Sequence, residues 1–165
     1  MTELKKFFVM LLVFGFIAIS TLAAQADRAL NGTWIRVSGD IEHESRFNNG
    51  NYEILRDGIP LWRGTYTTGN GEITFNPTHF HGRVLEVLGI LEALGISEGL
   101  ESRWYPRNEF IVVARPILQG AGAPAGWINY QITRMISPTT ERYSVAADSL
   151  ITIGASGLPL IFTRR

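Results

Sequence analysis

The most chemically pointed stretch of the chain is His79-Phe80-His81. In an extended strand residues i and i+2 face the same way, so both imidazoles can point at one metal ion. His43 lies on the Ile41/Phe47 face of its own segment, the face expected to point inward, and a site built from these three would gather all the histidines of the chain. Glu44 or Asp57 could add an oxygen ligand, although the spacing does not demand it. The competing reading is local: Pro77 can break the register, Gly82 marks a loop, and two histidines at a strand end are ordinarily held by hydrogen bonds. Glu42 and Glu44 form the close acid pair that glycoside hydrolysis would need, yet i and i+2 neighbours on a polar strand face are usually solvated. A Gly-x-Ser-x-Gly nucleophile turn is missing, and Gly154-Ala155-Ser156-Gly157 reads as a turn between strands. The glycine-rich stretches do not follow the strand-to-helix order of a phosphate loop.

The inventory narrows the chemistry further. The 165 residues include no cysteine, which removes disulfides, thiolate metal sites, iron–sulfur clusters and thiol nucleophiles. The two lysines, Lys5 and Lys6, sit at the start of the chain, so Schiff-base chemistry and a phosphate-loop lysine are excluded for the remainder. Fifteen basic and fifteen acidic residues balance along the whole length, with no basic face for nucleic acid and no polybasic patch for anionic lipid. The expectation is a non-enzymatic domain without a cofactor.

Residues 1–26 have the layout of a secretory leader. Lys5 and Lys6 precede an apolar run over residues 7–19, and Ala24-Gln25-Ala26 forms an A-x-A cleavage site. The run is short for a bilayer span, which needs roughly 20 apolar residues. Residues 27–165 are therefore expected to form a single domain, soluble in the periplasm or secreted, with no stable membrane insertion after processing.

That domain reads as short strands separated by turns. Segments 33–37, 41–47, 52–56, 61–67 and 72–76 carry β-forming residues, and Gly39-Asp40, Asn49-Gly50, Asp57-Gly58 and Asn70-Gly71 punctuate them, which predicts an antiparallel meander. Val84, Val87, Leu88, Leu91 and Leu94 then recur at helical spacing, predicting one short helix over residues 84–94 that covers the sheet. Strands are expected again at 110–114 and 127–136, with Gln119 to Gly126 as a loop, and finally at 142–146, 150–153 and 158–163. The fold expected is mainly all-β, an antiparallel meander closed into a barrel of about eight strands, because closure removes the sheet edges. The helix belongs to a mid-barrel insert over residues 78–126. Arg103-Trp104-Tyr105 in that insert either forms an exposed binding patch or pins the insert to the barrel.

Asn31-Gly32-Thr33-Trp34 at the start of the first strand and Thr163-Arg164-Arg165 at the end of the last resemble the two ends of a lipocalin-like, or calycin, barrel. Gly64-Thr65-Tyr66-Thr67 and the Asn-Gly hairpins are also similar to small exported bacterial lipocalin-like domains, over about residues 30–165. The resemblance implies that Trp34 packs near the closed end with an arginine, Arg164 as the better match and Arg165 as its neighbour, laid over the ring. It departs from the family in placing a helix mid-barrel rather than after the last barrel strands. It also implies a small hydrophobic ligand inside the barrel, for which strand parity nominates Phe47, Tyr52, Trp62, Tyr66, Phe75 and Tyr130. A filled barrel that binds a protein partner of the envelope through the insert loops, or a protease-inhibitor-like calycin, stands as the alternative.

Overall fold

The computed structural model describes residues 28–165; the leader expected at residues 1–26 lies outside them. A helical turn at residues 28–30 leads into β1 (Gly32–Ser38), β2 (Ile41–Asn48), β3 (Asn51–Arg56), β4 (Ile59–Gly69) and β5 (Glu72–His81), each antiparallel to the one before. The hairpins are tight because their turn residues accept left-handed backbone. Asn49 and Gly50, Asp57 and Gly58, and Asn70 and Gly71 all have positive φ, the pair of conformations that a two-residue hairpin needs to match strand twist.

After the insert come β7 (Thr139–Ala146), β8 (Ser149–Ile153) and β9 (Pro159–Arg164). The strands run in the order β4-β3-β2-β1-β9-β8-β7-β5, and β4 also pairs with β5, which closes eight antiparallel strands into a barrel. β6 (Trp104–Pro106) stands outside the ring and pairs with β5 from His79 to His81, past the stretch Glu72 to Phe75 that pairs with β7. The seams are unequal. β1 and β9 are registered at only Trp34↔Arg164 and Ile35↔Thr163, whereas β1 and β2 are registered along all of β1.

The insert departs from the sequence reading. The helix expected over residues 84–94 is two single turns, α1 (Val84–Val87) and α2 (Ile90–Ala93), divided by Gly89 at φ 72. The strands expected at 110–114 and 127–136 are helices, α3 (Arg107–Gly120) and α4 (Ala125–Ile136), so the insert holds more helix and runs further than residue 126. Local composition pointed to strand because Ile111, Val112 and Val113 are β-branched. Tertiary packing decides otherwise: Phe110, Ala114 and Leu118 are fully buried at i, i+4 and i+8, and Ile128 and Ile132 repeat the same spacing. Pro116 inside α3 removes one intrahelical bond, to the Val112 carbonyl, on a turn whose Val112 side chain is 70% exposed and where water can replace it.

Two cores result. One fills the barrel interior around Trp34, Phe47, Tyr52, Tyr66 and Ile73. The other lies between the helices and the β4–β5–β6 end of the barrel, where Phe80 stacks on Phe110 with ring centroids 4.8 Å apart. Ile54 and Trp62 touch both, so the helical layer sits over the barrel end reached by the β1–β2 and β3–β4 turns. This helix-covered end is termed the mouth; the opposite end is capped by the fully buried Leu30 and Trp34.

Candidate functional site

The closed end is built from the first and last strands. Trp34 is fully buried, its indole Nε1 donates to the Leu30 carbonyl at 2.6 Å, and the Arg164 guanidinium lies 4.4 Å from the ring centroid. Arg164 also donates to the Asn31 and Ala29 carbonyls at 3.1 and 2.8 Å, so one side chain stacks on the indole and satisfies the carbonyls of the turn that covers it. Arg165 points to the other face and pairs with Glu42 and Glu44, each at 3.2 Å. Glu44 is paired with Arg46 as well. The two glutamates therefore sit in an arginine-clamped network on the barrel wall, with their charges already matched.

Of the side chains nominated by parity, five line the interior. Phe47 meets Tyr66 edge-on at 5.2 Å and Phe75 at 6.1 Å, Tyr52 meets Phe75 at 5.0 Å, and Trp62 spans the two cores. Tyr130 is not among them. It lies on α4, outside the barrel and 61% exposed, beside a shallow groove with Asn129, Thr133 and Arg134. Its placement follows from the helix: Ile128, Tyr130 and Ile132 share a face only in a strand, and in α4 Tyr130 turns away from the buried pair.

Tyr52 carries a feature that packing does not account for. Its hydroxyl is buried with no hydrogen-bond partner, and burial pushes the phenol well above its usual range, partly opposed by the Arg107 cation. An orphaned buried hydroxyl costs about 1–3 kcal/mol, so an interior that merely needed filling would be better served by phenylalanine.

A second polar feature lies at the mouth and was missed in the sequence. The hairpin registers set Arg36 opposite His43, and His43 opposite Arg56, in one row across β1, β2 and β3. Arg36 follows Trp34 by two residues and so shares its inward face; its guanidinium lies 5.8 Å from the centroid of the interior Phe162 ring. Its Nε is buried and unpartnered. Arg56 donates to the Val87 carbonyl at 2.8 Å, which ties the row to α1, and approaches Asp57 at 4.0 Å. His43 is held below its usual pKa by burial first and then by the two flanking arginines, with Asp57 acting in the opposite sense. Parity and the two turn positions, Gly39-Asp40 and Asn49-Gly50, carry enough information to have found this row by counting back from each turn.

The three-histidine metal site does not form. Among the described residues no group of three or more His, Asp or Glu side chains is placed to hold a metal. His79 and His81 stand opposite Arg63 and Trp104 on the outer face of the sheet, where Arg63 covers the Trp104 ring at 4.5 Å, while His43 is on the inner face of β2. His79 Nδ1 is 3.0 Å from the Thr78 hydroxyl, and the Arg83 backbone N–H donates to His81 Nδ1 at 3.4 Å, so both rings have local partners. Arg103, Trp104 and Tyr105 hold the insert to the barrel: Tyr105 is buried beneath the Arg103 guanidinium at 3.9 Å.

Two depressed histidines make a prediction. His81 is lowered by burial and then by Arg83, against Glu53, as His43 is by burial, Arg36 and Arg56. Both bind a proton less readily folded than at the ordinary value of 6.5, so unfolding takes up protons. Stability from this source is complete above that value and is lost as pH falls through the lowered ones. Thermal unfolding is expected to show a lower midpoint at about pH 5.5 than at about pH 7.5. The double variant His43→Gln/His81→Gln should flatten that difference; a midpoint that rises on acidification would contradict the assignment.

No family model, no curated protein and no solved structure matches this chain.

Proposed function

We propose that this chain is an exported, non-catalytic carrier of the lipocalin-like kind, which takes a small apolar ligand into its barrel from the mouth beneath the helical insert. The single observation that supports this most is the Tyr52 hydroxyl, buried among interior aromatics with nothing in the protein to bond it. A closed barrel of eight strands is the size that holds either a packed core or one small ligand, and an orphaned hydroxyl within it favours the second. Export rests on the leader-like layout of residues 1–26. Val112 and Tyr130, exposed on α3 and α4, favour the second reading, an envelope interaction module that uses the insert against another protein.

Native mass spectrometry of the protein as its own host processes it, followed by organic extraction, tests the carrier reading. A stoichiometric apolar molecule is expected, and its binding should change the fluorescence of Trp62. Tyr52→Phe should weaken that binding about five- to tenfold while leaving the thermal midpoint unchanged or higher. A ligand-free mass, together with no fluorescence response to fatty acids or sterol-like probes, would transfer the weight to the interaction module.

A further inference from the structure

We infer that the barrel's ligand is an amphiphile with an oxyanion headgroup, carboxylate or phosphate monoester, seated between Arg36 and Arg56 above His43 while its apolar part lies deeper among Trp62, Phe75 and Tyr52. The inference rests on the carrier reading and adds the chemistry of the ligand's polar end.

The row occupies adjacent positions on three neighbouring strands, about 4.8 Å apart from one strand to the next, so two long guanidinium side chains can converge on a single group placed over the central imidazole. Arg36 is not neutralised as an interior arginine normally is, while Arg56 has the Val87 carbonyl at 2.8 Å and only a distant carboxylate. Among the described residues no carboxylate pairs with Arg36, and the Asp57 carboxylate stands 4.0 Å from Arg56 while also accepting the Glu42 backbone N–H at 2.8 Å. The Arg36 Nε–H is a buried donor without an acceptor, at a position where a guanidinium offers two parallel donors to a planar or tetrahedral oxyanion. Arg46, Arg56, Arg103, Arg164 and Arg165 each have a carboxylate or carbonyl partner, whereas the Arg36 Nε has none among the described residues. The Arg36 charge is thus the one in the row without a carboxylate, on the inner face beside the apolar Phe162 ring.

The experiment compares dodecanoic acid, dodecyl phosphate and dodecanol on the protein processed by its host, by calorimetry and tryptophan fluorescence. In parallel, the His43 ring resonances are followed by NMR during titration with acetate and with inorganic phosphate. One or both anionic amphiphiles are expected to bind at least about tenfold more tightly than the alcohol, and which of them does so identifies the headgroup. Arg36→Gln and Arg56→Gln should each remove most of that advantage without weakening dodecanol, and the thermal midpoint of each variant checks that it is folded. Equal binding of acid, phosphate and alcohol would overturn the inference and leave the carrier reading intact. Small anions that shift the His43 resonances, in a manner lost in Arg36→Gln, would uphold the oxyanion site even if no amphiphile binds, which would remove the carrier reading alone. No amphiphile binding and no anion shift would overturn both.

Discussion

Trp34→Ala is expected to be among the most damaging single substitutions in the molecule, lowering stability by about 3–5 kcal/mol and the thermal midpoint by about 10 °C or more. The indole is fully buried, so its removal opens a cavity at the closed end that the short 28–30 turn is poorly placed to fill. It also leaves the Leu30 carbonyl without its donor and the Arg164 guanidinium without the ring beneath it. Arg164→Ala removes the stack and the two carbonyl bonds but keeps the indole, and should cost less, about 1–2 kcal/mol. Urea unfolding of the two single variants and the double variant would measure the coupling between them. A loss below about 1 kcal/mol for Trp34→Ala would mean that the closed end unfolds separately from the barrel.

Gly64→Ala should match it in size, for a different reason. A β-carbon on Gly64 would collide with the Asn76 carbonyl oxygen and stand 2.9 Å from Pro77 Cα, both of them backbone of the neighbouring strand. The register between β4 and β5 shifts at Arg63/Gly64, so the two strands press together there and neither can retreat without breaking the ladder on each side. A destabilisation of about 3 kcal/mol or more is expected. Gly69→Ala, in the same strand and with open space around its α-carbon, is the matched control and should change stability by well under 1 kcal/mol. Equal effects at the two positions would show that the close approach of β4 to β5 is not rigid.

The strands of the barrel were legible because each announces itself twice, by alternation along the segment and by a turn whose residues accept left-handed backbone. Asn49, Asp57 and Asn70, each followed by glycine, mark the boundaries of β2 to β5 closely. The insert was not legible on those terms. Trp127, Ile128, Tyr130 and Ile132 satisfy a two-residue period and a helical one at once over so short a window, and only the partner surface, Phe80 and the mouth of the barrel, selects the helix. That choice is non-local, so no property of the segment itself contains it. The same holds for Tyr130, whose nomination as an interior residue depended on the strand. Trp34 and Arg164, at opposite ends of the described chain, were paired through the resemblance rather than through spacing. The mouth row lies within reach of the sequence: parity places His43 inward, and Arg36 and Arg56 follow from the same two hairpins, but arginine in a strand ordinarily reads as an outward residue.

The short seam between β1 and β9 sets an order of events in time. Its register ends at Ile35↔Thr163, and the next residue of β1 is Arg36, the first member of the mouth row. Beyond that point the two strands diverge, with Val37 and Ile161 exposed on either side. The free energy to separate neighbouring strands rises with the number of pairs that must break, so amides along this line would exchange with deuterium ahead of those in the β4–β5 wall, at a cost far below that of unfolding the whole domain. The barrel is thus least durable beside its unmatched charge. In the proposed carrier, a headgroup held by Arg36 would therefore rest against the stretch of wall that parts first.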